Sequence, residues 1–227
     1  MRITGGDPKW KKNENLGRCS HRGTRCTQNV FGDVFGTGDK QSLLGRCILT
    51  PRNKEALRLN NEVLAMVPGQ LKIYESYDTV EKTDGRDSQN FSTEFLNTLT
   101  PSGMPPHRLE IKAGAVLQCG RTLCEFATGT RQGQEVFIPR IKLLHESKLP
   151  FVLAQTQFPV RLAFAMTVNR SQGQSFDTVG IHLQYQPFSH GILYVALNRA
   201  TSRRGVRIET ATGTMKNIVF KDILLYL

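Results

Sequence analysis

The sequence of 227 residues has no long apolar run and few cysteines. It nowhere approaches the roughly 18 apolar residues that a membrane helix needs, so we expect no membrane partner. The N-terminus, MRITGGDPKWKK, lacks the apolar centre of a secretory signal peptide. Its five cysteines, at positions 19, 26, 47, 119 and 124, form no even disulfide framework. These absences predict a soluble protein in a reducing, intracellular setting.

Acidic residues are also scarce. Lys and Arg number 30 against 19 Asp and Glu, which gives a formal net charge of +11. Between residues 151 and 208 there are six arginines, no lysine and one acid, Asp177. Arginine presents planar, multiple donors that suit phosphate better than a point charge does. The charge balance predicts a polyanionic partner, and a merely basic soluble protein is the alternative.

The first part of the chain, residues 1–42, is predicted to be a basic, poorly ordered arm because its early residues lack apolar periodicity. Cys19, His21 and Cys26 lie close together there and could suggest zinc. Their spacing fits no standard zinc finger and a fourth ligand is missing, so we expect no metal site.

An α/β pattern begins after this arm. Residues 46–50 form a short apolar run that predicts a buried strand. An amphipathic helix is predicted from about Lys54 to Val67, with Asn53 as its N-cap. Arg52 lies between the two, at the carboxyl end of the strand, where ligands bind in open α/β sheets. A plain surface arginine is the equal alternative for Arg52.

The pattern resumes near the C-terminus. Residues 178–183 predict a buried strand, and residues 206–208 predict another. A helix capped by Ser189 and ended by Gly205 is predicted between them. Strands alternating with helices predict a mostly parallel sheet covered by helices.

The middle of the chain, residues 69–150, differs in character. Short strand-like runs are separated by glycine turns, as in a small antiparallel barrel. We therefore predict an inserted small β-barrel domain within an α/β domain made of residues 43–68 and 151–227.

Two stretches of the α/β domain look functional. Residues 167–175, TVNRSQGQS, form a polar, glycine-containing patch straight after an apolar run. Residues 194–205 form an apolar segment that carries Arg199 in its interior and Arg203 and Arg204 at its end. Alternatively, the first stretch is only a connecting loop, and cations at a helix end are favoured by the helix dipole alone.

Five blocks of this sequence, in order, closely resemble the C-terminal half of Pif-type DNA helicases, with the Helitron transposon branch as the nearest match. The blocks are CILTPRNKEALRLNNEVL, TEFLNTLTPSGMPPHRLEIKAGA, EVFIPRI, FPVRLAFAMTVNRSQGQSF and FSHGILYVALNRATSRRG. The resemblance implies a second RecA-like motor domain of an ATP-dependent DNA helicase. It also implies work in DNA repair, recombination, telomere maintenance or transposon replication, in the nucleus or alternatively the mitochondrion.

The same resemblance implies roles for individual residues. TVNRSQGQS matches the motif that contacts single-stranded DNA and couples it to the nucleotide. The implied DNA-binding residues are Thr167, Asn169, Arg170, Ser171 and Gln172. YVALNRATS matches the motif whose arginine reaches the γ-phosphate, so Arg199 is implied to be the catalytic arginine finger. The implied nucleotide-binding residues are Arg52, Gln172, Gly173 and Arg199.

The sequence also departs from the family pattern. The family usually has Lys at the position of Arg170 and Ser at that of Asn198, and the segment 115–119 is shorter here. There is no Gly-Lys dipeptide and no Asp-Glu dipeptide, so this sequence holds neither a P-loop nor the acidic pair that binds Mg²⁺.

We therefore expect a C-terminal fragment that uses ATP and Mg²⁺ only with a P-loop-containing helicase half supplied elsewhere. The alternatives are a non-catalytic single-stranded nucleic-acid-binding module and an inert transposon remnant.

Overall fold

A computed structural model of the chain describes residues 26–35, 40–81, 91–101, 103–119, 137–146, 149–184 and 191–211. They form two compact units, one containing the residues up to Met66 and from Phe164 onward, the other Val67–Ala163. None of the helices in these ranges has the length and apolar character needed to cross a bilayer. Residues 212–227, and the part of the predicted arm before residue 26, lie outside the described residues.

In chain order the elements are α1 (Cys26–Phe31), α2 (Lys40–Leu44), β1 (Arg46–Thr50), α3 (Asn53–Met66), β2 (Lys72–Glu75), β3 (Tyr77–Glu81), α4 (Thr93–Thr98), β4 (Arg108–Ile111), β5 (Leu117–Cys119), β6 (Ile141–His145), β7 (Val152–Gln157), β8 (Val160–Leu162), β9 (Ala165–Thr167), a 3₁₀ turn (Val168–Ser171), β10 (Thr178–Leu183), α5 (Ile192–Leu197), a second 3₁₀ turn (Arg203–Gly205) and β11 (Val206–Thr210).

The first unit is built on a parallel sheet in the order β11-β10-β1-β9. Its two central strands, β1 and β10, are buried over nearly their whole length, as expected for strands covered on both faces. The prediction of a parallel sheet covered by helices is confirmed. The predicted strands at 46–50 and 178–183 agree with β1 and β10, and α3 begins at Asn53 itself.

Alternate residues of β1 and β10 face opposite sides of this sheet. Leu49 and Ile181 pack in one apolar core with Ile192 and Ala196 of α5. On the other side, Gly180 faces α1, where an added Cβ would meet Cys26 Sγ at 2.7 Å and Val30 at 2.8 Å. Helix α1 therefore packs so closely on β10 that only glycine fits at that position.

The predicted poorly ordered arm over 1–42 is wrong for helix α1. Its Val30 and Phe31 are fully buried, and the Phe31 ring meets Phe164 edge-on at 5.5 Å. Arg46, at the start of β1, fastens the helix to the sheet. Its Nη1 donates to Val30 O at 2.6 Å and to Asp33 Oδ1 at 2.7 Å. A helix of six residues, less than two turns, is too short to show a periodicity, and long-range contacts order it instead.

The predicted long helix between Ser189 and Gly205 is shorter in the structure. Helix α5 ends at Leu197, and the chain then forms a bridge in which Ala200 pairs with Phe176. Gly205 closes the separate 3₁₀ turn before β11. Ser189 lies outside the described residues. The bridge redirects the backbone, which is why the helix cannot continue to Gly205.

The second unit contains three small antiparallel sheets, β2-β4, β3-β7-β6 and β5-β8. No sheet closes in the part of this unit that the structure describes, so the predicted barrel is not shown, and residues 120–136 lie outside that part. The unit runs to Ala163 rather than to the expected residue 150, because β7 and β8 pair with strands of this unit.

Candidate nucleotide and nucleic-acid interface

The carboxyl ends of β1 and β9 lie side by side in the first unit. Thr50 and Thr167 are register partners and are the last residues of their strands. Arg52 follows β1 and is exposed, while the 3₁₀ turn follows β9. The structure therefore places Arg52 and the start of the TVNRSQGQS stretch at neighbouring points on one edge of the parallel sheet, and the position of Arg52 at the carboxyl end of its strand agrees with the sequence prediction.

The 3₁₀ turn divides its side chains between the interior and the surface. Val168 and Ser171 are buried, Arg170 is half-buried, and Asn169 is exposed. Ser171 Oγ donates to Val168 O at 2.7 Å, so this hydroxyl proton stabilises the turn. Asn169 and Arg170 are the members of the turn that remain accessible to a ligand.

Gln172 and Gly173 extend the exposed surface beyond the turn. Gly173 has a φ of 83°, in the left-handed region that a residue with a side chain rarely adopts. The turn closes when the backbone N–H of Gln174 donates to Ser171 O at 3.0 Å. Thr167, by contrast, is buried at the end of β9. It is the N-cap residue of the 3₁₀ turn, but its hydroxyl makes no capping hydrogen bond to the turn.

Arg199 lies two residues beyond the end of α5 and turns its side chain back toward the same stretch. Its Nη1 donates to Gln174 O at 3.1 Å and its Nε donates to Val195 O at 3.2 Å. The guanidinium is thus oriented by two carbonyl oxygens, and it still has further N–H donors for a ligand. The structure brings Arg199 together with the loop that contains Gln172 and Gly173.

The backbones of Arg52 and Arg199 are linked to opposite ends of β1. Phe176 N donates to Arg199 O at 2.8 Å, and Asp177 N donates to Gly45 O at 2.8 Å, just before β1 begins. Arg52 instead follows the last residue of that strand. A five-residue strand is about 16 Å long. The backbone of Arg199 is therefore linked through Phe176 and Asp177 to the start of β1, whereas Arg52 follows the end of that strand.

The second unit contains a group of Ser, His and Asp side chains that sequence reasoning did not predict. Ser76 Oγ donates to Asp78 Oδ1 at 2.7 Å, and His107 Nδ1 lies 2.8 Å from Ser76 Oγ and 3.1 Å from Asp78 Oδ2. In a hydrolase the serine and the acid contact different imidazole nitrogens. Here both use Nδ1, so the group is a buried structural network.

No metal site is apparent in the described ranges, where no three His, Cys, Asp or Glu side chains could hold an ion. Cys26 and Cys47 are buried free thiols, and burial raises the pKa of both. Cys19 and His21, considered for zinc, lie outside the described residues.

The sequence and the fold of this chain are similar to those of known proteins. No family model matches the sequence. The human ATP-dependent DNA helicase PIF1 is 28% identical over 215 residues, which cover 85% of this chain and 31% of that protein. The crystal structure of Pif1 helicase from Candida albicans superposes with a TM-score of 0.57 at 18% identity, over 80% of this chain and 49% of the other. The homologues of this chain are Pif1 helicases.

Another solved Pif1 structure extends the likeness in fold. The Bacteroides Pif1 helicase in complex with ADP-AlF3 and ssDNA has a TM-score of 0.50 at 16% identity, over 89% of this chain and 53% of the other. The chain spans about a third of the length of the human Pif1 relative that it matches. The similarity therefore concerns one part of a Pif1 helicase and supports the α/β fold with its parallel sheet.

Proposed function

We propose that the chain is the second motor unit of a Pif1-type ATP-dependent DNA helicase. In this role it binds single-stranded DNA through the surface of residues 167–174 and presents Arg199 to ATP. The single observation that carries the proposal is the hydrogen bond between Arg199 Nη1 and Gln174 O. It joins the candidate finger to the candidate DNA-binding loop, which are the two parts that a motor must couple.

The DNA-binding role rests on the accessible side of the 3₁₀ turn and the loop after it. Asn169, Arg170 and Gln172 supply polar donors for phosphate and sugar, while Gly173 lets a strand approach the backbone closely. The net charge of +11 favours a polyanion. Thr167 and Ser171 act through the backbone and the shape of the turn, because both are buried.

The catalytic role of Arg199 is electrostatic. An arginine finger stabilises the charge that develops on the transferred phosphoryl group, and such a finger contributes roughly 10³-fold or more to the rate. Two carbonyl contacts hold the Arg199 guanidinium in a defined direction, which reduces the ordering cost when ATP binds. Arg52 takes a separate part of the nucleotide in this proposal, since it lies at the carboxyl edge of the sheet.

ATP and Mg²⁺ require groups that this sequence does not contain. The P-loop and the acidic pair would come from a P-loop-containing helicase half, either on another polypeptide or in a further part of the same protein. The residues present can contribute the finger, the coupling loop and part of the DNA path. We also infer that the unit Val67–Ala163 is the inserted β-domain of this motor, and that the DNA is nuclear or mitochondrial.

A second candidate function is a non-catalytic module that holds single-stranded nucleic acid. It is favoured by the absence of Gly-Lys and Asp-Glu dipeptides in a chain that is strongly basic. The two functions share the DNA surface and differ only in the use of Arg199.

The experiment that separates them mixes the chain with the purified P-loop half of human PIF1 and measures phosphate release with and without single-stranded DNA. DNA-stimulated hydrolysis that appears only in the mixture supports the motor unit. Single-stranded DNA binding without any such gain supports the binding module. A chain that neither binds DNA nor restores hydrolysis contradicts both.

A further inference from the structure

Two arginines near the start of β11, Arg204 and Arg207, take no part in the interface proposed above. Arg204 belongs to the 3₁₀ turn before β11 and is exposed, and Arg207 is the second residue of that strand. From the sequence alone, Arg204 could be a cation that the dipole of a preceding helix favours. The structure removes that explanation, because α5 ends at Leu197 and Arg204 lies in a separate turn.

The guanidinium of Arg207 is held in a defined orientation by the backbone. Its Nη1 donates to Arg204 O at 2.6 Å and to Val206 O at 3.1 Å. The N–H groups of Nε and Nη2 make no hydrogen bond within the residues that the structure describes. Nε and Nη2 are a pair of parallel donors of the kind with which arginine binds a phosphate or a carboxylate. The side chain is only partly buried, so an anion can reach it, and its fixed orientation reduces the entropy lost on binding.

Arg204 adds a second positive charge beside this guanidinium, since its own backbone oxygen is one of the two that hold Arg207. Its guanidinium has no partner within the described ranges. Arg203 precedes it in the same turn, but consecutive side chains of a 3₁₀ turn point about 120° apart. Arg204 and Arg207 are therefore the two arginines that the structure joins, and we call them the arginine pair.

The acids around this corner of the sheet are already bound to other groups. They are Asp33, Asp177 and Glu209. Each lies at hydrogen-bond distance from another side chain, and the partners are, in the same order, Arg46, Thr201 and His182. No carboxylate in the described part of the chain forms an ion pair with either member of the arginine pair. Two positive charges therefore remain without a carboxylate partner there.

The arginine pair lies away from the loop of residues 167–174. β9 and β11 are the two outer strands of the parallel sheet, so three strand spacings separate them. Thr167 ends β9, whereas Val206 begins β11. With about 4.8 Å per spacing and about 3.3 Å per residue along a strand, these two residues are roughly 15–20 Å apart. A small anion cannot contact both places, but an extended polyanion can.

We propose that the arginine pair is a second contact for the phosphate backbone of a single-stranded nucleic acid that also binds the loop of residues 167–174. Arg207 supplies the oriented donors and Arg204 a further charge. The net charge of +11 favours a polyanion of this length. The inference rests on the proposed function for the identity of the strand, and it needs neither ATP nor the P-loop half. An acidic peptide is the other occupant that two arginines suit.

Fluorescence anisotropy with a labelled 20-nucleotide oligothymidine tests the second contact. Even at about 3.4 Å per nucleotide, such a strand is longer than the distance between the two contacts. Arg204→Ala and Arg207→Ala should each lower the slope of log affinity against log salt by about 0.7, and the double variant by about 1.4. Arg108→Ala is the control and should leave the slope unchanged, because Arg108 is paired with Glu110 in the second unit.

Lysine variants separate an oriented contact from a general effect of charge. Arg207→Lys keeps the net charge but loses the planar pair of donors, so the affinity for the oligonucleotide should fall at least about threefold. Arg204→Lys is the matched control and should stay within about twofold of wild type, because Arg204 acts through its charge. Wild-type affinity in Arg207→Lys would overturn the oriented contact. Arg204→Ala replaces an exposed side chain, so its effect remains a test even where an Arg207 variant is unstable.

The outcomes distinguish this contact from the proposed function. If Arg170→Ala lowers the salt slope and neither alanine variant of the arginine pair does, the loop binds DNA and the second contact is overturned. If all three variants leave the slope unaltered, the loop and the second contact are both overturned. Polyglutamate of 20 residues is the probe for an acidic peptide. Binding of polyglutamate that Arg204→Ala and Arg207→Ala weaken, with no change in their DNA slope, would assign the arginine pair to a protein partner and overturn the proposal.

Discussion

Arg199 Nη1 donates a hydrogen bond to the main-chain oxygen of Gln174, 3.1 Å away. Gln174 in turn closes the turn on Ser171 through its N–H. The arginine that would reach ATP is therefore hydrogen-bonded directly to the backbone of the loop that would contact DNA. A displacement of residues 172–174 by bound DNA must move or release the Arg199 guanidinium.

Arg199→Ala should abolish the hydrolysis that a P-loop half restores. The expected loss is roughly 10³-fold in rate, the contribution of an arginine finger, while single-stranded DNA affinity stays within about twofold. Phosphate release by the mixture measures the rate. Arg203→Ala, an exposed arginine of the following 3₁₀ turn, is the control and should retain hydrolysis. Unchanged hydrolysis in Arg199→Ala would remove the finger role.

Arg170→Ala should weaken single-stranded DNA binding and reduce its dependence on salt. Loss of one phosphate contact lowers the slope of log affinity against log salt by about 0.7 for single strands. Fluorescence anisotropy at four or more salt concentrations measures that slope. Arg108→Ala is the control, because Arg108 is exposed and already paired with Glu110. An unaltered slope in Arg170→Ala would mean that this side chain does not contact the phosphate backbone of the DNA.

Asn60→Ala should destabilise the parallel sheet at its β9 edge. The Asn60 side chain accepts from Ala165 N at 2.9 Å and donates to Ala165 O at 2.8 Å, so it satisfies both backbone groups of that residue. Leaving them unpaired in the interior should cost about 2–4 kcal/mol of unfolding free energy. Urea denaturation measures the change. The neighbouring exposed Asn61→Ala should alter stability by no more than about 0.5 kcal/mol.

Gly180→Ala should force α1 away from β10. The new Cβ would lie 2.7 Å from Cys26 Sγ and 2.8 Å from Val30, and such overpacking costs about 1–3 kcal/mol. Adding Cys26→Ala removes one of the two contacts and should recover part of the lost stability in the double variant. If Gly180→Ala has wild-type stability, helix α1 does not pack on the sheet as described.

Glu209 should make stability depend on acid pH. The hydrogen bond from His182 holds the pKa of Glu209 below its usual range, with the Cys26 N–H contributing. A carboxyl with a lowered folded pKa contributes stability that is fully present above its unfolded pKa, about 4.3, and lost as the pH falls through the folded value. The stability difference between wild type and Glu209→Gln should therefore be larger at pH 6 than at pH 3. Urea denaturation at both values checks this, and an equal difference would contradict it.

The strands and the order of the motifs were accessible from the sequence, whereas the site's geometry was not. β1 and β10 are apolar runs whose assignment needs only local pattern, and α3 shows its buried face through spacing. Sequence reasoning does not show which end of β1 the segment before β10 meets. Hydrogen bonds from the N–H groups of Asp177 and Thr178 to Gly45 O place that segment at the start of β1, and no local pattern predicts them.

Contacts between distant segments explain the remaining differences. Helix α1 is held in place by a hydrogen bond from Arg46 and by close packing against Gly180, which has no side chain. Both partners lie far from the helix in the sequence, so the six residues of α1 alone do not predict these contacts. His182 of β10 contacts Glu209 of β11 and Arg58 of α3, and these three residues are far apart in the sequence. The sequence shows only the local part of this group, which is the pairing of Arg58 with Glu55 and Glu62 along one face of α3.

The most direct test of the central claim is titration of the purified chain with a fluorescent single-stranded oligonucleotide at several salt concentrations, with phosphate release from ATP measured in parallel. The account predicts saturable, salt-sensitive binding, and no phosphate release until the P-loop half is added. Phosphate release by the chain alone would mean that it holds a nucleotide site of its own. Binding that is absent, or insensitive to salt, would contradict the assignment of a helicase-type DNA surface to residues 167–174.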